Sequence, residues 1–176
     1  MKKSARLILE NGAVFNGFAF GAVDKLRSGG EVVFTTSITG YQEILTDPSF
    51  AGQIVTMTNP LMGNYGTNDE DLEGKKSYVK GFIVRELAEE YSNWRSKESL
   101  SKYLQHNDIL ALEGIDTRKL VRILRTDGAL RGFVTTETTD SKQLIAEALG
   151  LPLMTGQDLT LGVTTSETYV VPASPS

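Results

Sequence analysis

Apolar and polar positions alternate through "ARLILENGAVFNGFAFG", Ala5 to Gly21, with a break at Asn11-Gly12. Those two residues accept the positive φ angles of a tight turn, so the pattern predicts an opening β-hairpin. Asp24 to Gly30, "DKLRSGG", reads as a polar, glycine-ended loop, and "EVVFTTSI", Glu31 to Ile38, as a third strand rich in β-branched and aromatic residues. Tyr41 to Leu45 predicts a short helix ended at Asp47-Pro48, because proline disfavours helical geometry at the residue before it. Gln53 to Met57 resumes as strand. Asn59 to Gly74 is rich in Gly, Asn and acidic residues and predicts a long irregular loop.

The second half is more regular. "YVKGFIVREL", Tyr78 to Leu87, predicts one strand. "SKESLSKYLQHND" predicts a helix with Leu100 and Leu104 on one face and Ser96 or Ser99 as its cap. "DILALEGI" is strand-like, and Asp116 caps "TRKLVRILRT", where Leu120, Val121, Ile123 and Leu124 form the inward stripe before Asp127-Gly128 stops the helix. "ALRGFVTT" returns as strand, so Ile109 to Thr135 reads as a strand, helix, strand unit. Asp140 caps a last helix, "SKQLIAEAL", with Leu144, Ile145, Ala148 and Leu149 inward and Gly150 ending it in left-handed geometry. The mixture of strands and short helices predicts an α/β class. Residues 1–150 read as one domain, and 151–176, without amphipathic period and ending in Pro and Ser, read as a linker.

Composition narrows the chemistry. At 176 residues and 40% apolar content the chain can bury one full core. The net charge of -4 and the lack of a dense Lys/Arg cluster argue against nucleic acid as partner. With no cysteine there is no disulfide framework, thiolate metal site or cysteine nucleophile in these residues. The apolar run near the amino terminus is only Leu7 to Leu9, too short for a signal-peptide core, and no run approaches the roughly 20 apolar residues a bilayer demands. A cytoplasmic protein without a membrane partner is expected.

Several candidate sites have bland readings. Ser37 or Ser49 as nucleophile would need a base, and the single histidine, His106, lies in a polar helix end where a cation near the carbonyl terminus is ordinary. "NDEDLEG", with Asp69, Glu70, Asp71 and Glu73, lacks EF-hand spacing and reads as a solvated acidic loop. "GNYGTN" has the glycines of a phosphate cradle but neither its lysine nor a strong following helix. Arg118, Lys119, Arg122 and Arg125 read as the wet side of one helix. The hydroxyl-rich stretch Thr35, Thr36, Ser37, Thr39 and Ser49 leaves two readings open: orientation of a polar ligand or interface, and satisfaction of turns.

Two long stretches, "GEVVFTTSITGYQEILTDPSFAGQIVTMTNPLMGNYGTN" and "GIDTRKLVRILRTDGALRGFV", in that order, carry a stronger signal. They resemble the amino-terminal domain of the small, glutamine-hydrolysing subunit of carbamoyl-phosphate synthetase, and the resemblance runs from about Arg6 to about Tyr169. Departures from the family's pattern are Thr35 in place of Asn, Ile38 in place of Met, Phe50 in place of Tyr, and Asn59 where an aromatic is common.

The resemblance implies a three-layer β/β/α swivelling domain of mixed strands with two to four short helices. It implies a non-catalytic domain that docks on the large synthetase subunit and helps enclose the glutamine site. The catalytic Cys-His-Glu triad belongs to a class I glutamine amidotransferase domain beyond these residues, towards which 151–176 would lead. By resemblance Ser49, in "TDPSF", reaches across to help bind L-glutamine, and Thr36, Ser37, Thr39, Gly40, Tyr41 and Gln42 form a tightly packed domain-domain interface, with no individual role for Thr36, Ser37 or Tyr41 beyond that surface. No cofactor or metal is implied for this chain; ATP and Mg serve the large subunit. The whole enzyme is implied to be a ligase that makes carbamoyl phosphate from glutamine, bicarbonate and ATP for arginine or pyrimidine synthesis, or both. A free-standing small-ligand module using the Asn59 to Gly74 loop is the competing reading.

Overall fold

A computed structural model describes residues 2–165 and 167–171. The opening hairpin pairs β1 (Lys3–Leu9) with β2 (Val14–Gly21) antiparallel, and of the Asn-Gly pair expected to take positive φ at the turn only Gly12 does, at 91°. β3 (Arg27–Thr35) leads through α1 (Tyr41–Thr46) and a single 3-10 turn (Pro48–Phe50) into β4 (Gln53–Met57), which lies parallel to β3. Two short strands, β5 (Leu61–Met62) and β7 (Glu86–Leu87), form a separate parallel pair. Between them in the chain runs β6 (Gly81–Ile83). The remainder is α2 (Leu100–His106), β8 (Leu110–Glu113), α3 (Thr117–Asp127), β9 (Leu130–Thr135), α4 (Ser141–Leu149) and α5 (Thr160–Val163).

Seven strands close into a ring in the order β1-β2-β8-β6-β4-β3-β9. Closure removes the unpaired edges that an open sheet would expose. β3, β4, β6 and β8 run parallel to one another, while β9 closes the ring antiparallel to both β1 and β3. The loops after β3, β4 and β8 therefore emerge at one rim, called here the carboxyl rim.

Alternation along the strands sorts the core into two shells. Leu7, Leu9, Val32, Ile54, Ile83, Leu110, Leu112 and Val134 point into the ring, joined by Leu120 and Leu124 of α3. Because α3 both leaves β8 and enters β9 at the carboxyl rim, those two leucines stop the mouth of the barrel. The alternate residues Val55, Met57, Phe82 and Ala111 face outward and meet Tyr41, Ile44 and Leu45 of α1 and Leu100 and Leu104 of α2. α4 covers β1 and β9, with Leu144 and Ala148 buried. From one wall of the ring, across its core to the opposite wall, and out to the helices, the order is β/β/α, and the class is α/β as expected.

The caps follow the sequence. Ser99, Asp116 and Asp140 each accept a backbone N–H of the first helical turn, with Ser99 rather than Ser96 capping α2. Asp116→Ala is expected to lower the free energy of unfolding by about 1 kcal/mol, measured by urea titration. An unchanged midpoint would show that the buried leucines alone hold α3.

The structure differs from the sequence reading at several places. β3 begins at Arg27, so Arg27 to Gly30 is strand rather than loop. The glycines are demanded by crowding: a Cβ on Gly30 would lie 2.6 Å from the Gly52 carbonyl oxygen, and one on Gly29 would lie 2.5 Å from the Phe133 ring. The run Tyr78 to Leu87 is two short strands, β6 in the ring and β7 outside it. Gly150 is right-handed at φ -84°, and Leu149 is 53% exposed rather than inward. There are five short α-helices among the described residues rather than two to four. The fifth, α5, falls in the stretch expected to be linker, whose Pro- and Ser-containing end, residues 172–176, lies outside the described residues.

Candidate functional site

The carboxyl rim presents the hydroxyl-rich loop. Thr36, Ser37 and Thr39 are exposed and Gly40 is half-buried, with Ile38 between them 74% exposed. The hydroxyls of Thr35 and Ser37 lie 3.0 Å apart, and the Thr35 hydroxyl also accepts the Ser37 N–H, which turns the chain at the end of β3. Asn59, in the loop after β4, donates through Nδ2 to the carbonyls of Ile38 and Leu61 at 3.2 and 3.1 Å. That amide clamps two rim loops together and sets two exposed apolar side chains, Ile38 and Leu61, over them. An aromatic residue at Asn59 could not make this clamp.

Tyr41 and Gln42, expected at the same interface, are buried beneath that loop within this chain. Tyr41 is 0% and Gln42 1% exposed. The Tyr41 ring stacks on Tyr65 with centroids 4.2 Å apart, and its hydroxyl donates to the Gly66 carbonyl at 2.6 Å. Gln42 accepts the Asn68 N–H at 2.9 Å and donates to the Asn68 carbonyl at 2.5 Å. The Tyr65 oxygen accepts the N–H groups of Gly40 and Tyr41, anchoring the start of α1. Burial pushes both phenols above their ordinary range, so they stay neutral donors. These residues are the plinth under the rim loop, built from the Asn59–Gly74 segment whose "GNYGTN" glycines serve packing here. Glu43 lies against Gly40 with one buried carboxylate oxygen, Oε2, that has no hydrogen-bond partner among the described residues.

Ser49 is elsewhere. β3 and β4 are parallel, and Ser49 precedes β4 while Thr36 follows β3, so the two lie towards opposite ends of a paired stretch about 17 Å long at ~3.3 Å per residue. The Asp47 carboxylate accepts the Ser49 N–H at 2.8 Å and Pro48 starts the 3-10 turn, which fixes the backbone. The Ser49 side chain is exposed and its hydroxyl makes no hydrogen bond among the described residues. Segment 151–163 packs on this same amino rim, where a Cβ on Gly52 would lie 3.1 Å from Met154 Sδ and 3.6 Å from Leu159. One sequence stretch thus supplies two separated surfaces.

The remaining candidates are accounted for within the fold. His106 pairs through Nδ1 with Glu98 at 3.1 Å and is exposed, and it makes no hydrogen bond to a serine among the described residues. The acidic loop is not simply solvated: Asp71 and Glu70 pair with Arg95, and Asp69 pairs with Lys97. No group of three or more His, Asp or Glu suited to a metal ion occurs among the described residues, and no helix among them is long and apolar enough to cross a membrane. The Asn59 clamp was missed in the sequence because its partners are backbone carbonyls, which leave no residue-type signature.

Comparison with known proteins gives this geometry a family. Residues 7–134 match the family described as carbamoyl-phosphate synthase small chain, CPSase domain. The carbamoyl phosphate synthase small chain of Aquifex aeolicus is 49% identical over 169 residues, covering 96% of this chain and 45% of that protein. That of Chlorobaculum tepidum is 52% identical over 167 residues, with 95% and 45% covered. The pyrimidine-specific small chain of Bacillus subtilis is 54% identical over 140 residues, with 80% and 38% covered. The chain spans less than half the length of these relatives, and it belongs to the carbamoyl-phosphate synthase small chain family.

Proposed function

We propose that this domain is a non-catalytic part of a glutamine-hydrolysing carbamoyl-phosphate synthase. It docks on the large chain and helps enclose the glutamine site of an amidotransferase domain, in an enzyme that makes carbamoyl phosphate from glutamine, bicarbonate and ATP. The reading is supported by family membership and by the absence of any cysteine that could supply a thiolate from these residues. The observation that carries it is the amino rim, where the rigid, exposed Ser49 turn and segment 151–163 lie together. A domain following that segment would meet Ser49 first. The serine hydroxyl can donate to or accept from a bound amide without titrating, and the Asp47 cap holds it in place before substrate arrives. Enclosure matters because ammonia released by the amidotransferase would protonate or escape in open water.

The test is Ser49→Ala in a small chain of full family length. The KM for glutamine is expected to rise about tenfold, equivalent to one lost hydrogen bond of ~1.4 kcal/mol, with kcat nearly unchanged. An unchanged KM would remove Ser49 from the glutamine site.

A further inference from the structure

The outward face of α3 is electrostatically at odds with its own helix. Arg118, Arg122 and Arg125 stand at i, i+4 and i+7, on one stripe with steps of about 6 and 4.5 Å along the axis. Like charges at that spacing repel, and Arg118 in the first turn faces the positive end of the helix dipole. Within α3 the position between Arg118 and Arg125 on that stripe is Val121, and the two acidic residues at the helix ends are engaged elsewhere, Asp116 accepting the Lys119 N–H and Asp127 accepting from the Asn11 amide. All three arginines are exposed, and none has a carboxylate within 4.0 Å in the ion pairs of the described residues. Lys119 differs, since its ammonium lies 5.8 Å over the Phe15 ring.

The stripe is continuous with the rim loops. Arg118, Val121, Arg122 and Arg125 line one open concavity of ≈ 420 Å³ together with Thr58, whose N–H donates to the Thr35 carbonyl beneath the exposed Thr36–Thr39 loop. Next to Thr58 in the chain, Asn59 holds the loops that carry exposed Ile38 and Leu61. An arginine row around Val121, with exposed apolar side chains on the neighbouring loops, has the composition of a protein–protein contact, in which arginine forks take carboxylates two oxygens at a time. The net charge of -4 and the confinement of the cations to one short helix disfavour a nucleic-acid backbone, and the openness of the concavity gives a small anion little enclosure.

We infer that the carboxyl rim of the barrel, with the arginine stripe of α3 and Ile38, is the face that docks on the large chain, against an acidic surface presenting carboxylates at the helix repeat. The inference rests on the docking proposed above and adds which face does it. The amino rim, with Ser49, is left for the glutamine site, so the two ends of one barrel serve two partners.

The experiment titrates this chain against the purified large chain of a carbamoyl phosphate synthase. The wild type is expected to bind with an association rate that falls steeply with added salt. The R118E/R122E/R125E variant is expected to bind about 100-fold more weakly or not at all, and the neutral R118Q/R122Q/R125Q variant about tenfold more weakly with a shallow salt dependence. Far-ultraviolet dichroism and a urea melt check that both variants are folded, and if reversal unfolds α3 the neutral variant alone decides. Wild-type binding that both variants reproduce would overturn this inference and leave the docking reading standing. No wild-type binding would overturn both. Tight binding of a duplex oligonucleotide, lost in the variants while large-chain binding persists, would assign the stripe to nucleic acid instead.

Discussion

Replacing Arg131 by methionine is expected to lower the stability of the domain by about 3 kcal/mol at neutral pH, the low end of the cost of breaking a buried pair. Arg131 Nε donates to Glu10 Oε2 and its backbone N–H to Glu10 Oε1, both at 2.7 Å, and a further guanidinium nitrogen donates to the Leu151 carbonyl at 2.8 Å. One side chain thus ties the opening hairpin to β9 and to the segment after α4. The two side chains are only 18% and 15% exposed, so methionine would leave a carboxylate largely out of water without its partner. Burial pushes the Glu10 carboxyl up, but the hydrogen bonds and charge of Arg131 outweigh it and hold the group below its ordinary value of 4.5. A folded value below the unfolded one stabilises the protein above about pH 4.5, and that contribution is lost as pH falls through the folded value. The gap between wild type and Arg131→Met should therefore be widest at pH 7 and narrow in acid, while Glu10→Gln should show little such pH dependence. Urea unfolding at pH 7 and pH 3 checks this. A gap of equal size at both would mean that the loss is one of packing and not of the pair.

What could be read in advance divides along physical lines. Local signals held: the Asn11-Gly12 turn, the Asp116 and Asp140 caps, the Leu120/Leu124 stripe and the Gln53–Met57 strand are each set by residues within one turn of themselves. Ring closure was not legible, because β9 pairs with β1 across more than a hundred residues and no short pattern encodes that partner. The same long-range pairing draws Arg27 to Gly30 into β3, overriding the turn propensity of two glycines that are there to let backbone and ring approach. At the candidate site the residue types were legible and their placement was not. A parallel crossover sends consecutive residues to opposite ends of the barrel, so Thr36 and Ser49 part company, and the helix period turns Tyr41 and Gln42 inward. The arginine stripe, by contrast, was visible, and what the sequence withheld was that among the described residues no carboxylate comes within 4.0 Å to pair with it.

Tyr41→Ala is expected to have the largest effect of any single change near the rim, about 3–5 kcal/mol of stability. The ring is fully buried, stacked on Tyr65 and part of the outer core with Phe82 and Met57, so truncation leaves a cavity that α1 cannot collapse to fill. Tyr41→Phe separates the hydroxyl from the ring. It keeps the stack, leaves the Gly66 carbonyl without its donor, and should cost about 1–2 kcal/mol. The pH dependence has the opposite sense to that of Glu10. Burial raises the phenol, so its contribution is full below its unfolded value of 10.0 and is lost as pH climbs above it, where only the unfolded chain ionises freely. Tyr41→Phe should therefore lose less stability between pH 8 and pH 10.5 than the wild type. The structural consequence extends to both rims, because α1 begins under the Thr36–Gly40 loop and ends at the Asp47–Ser49 turn. Hydrogen exchange should show faster opening at residues 36–42 and at Ser49 in Tyr41→Ala, with β1 and β2 unchanged. If exchange instead rises evenly through the barrel, α1 is not an independent support, and the separation of the two rims would have to be attributed to the β-ring alone.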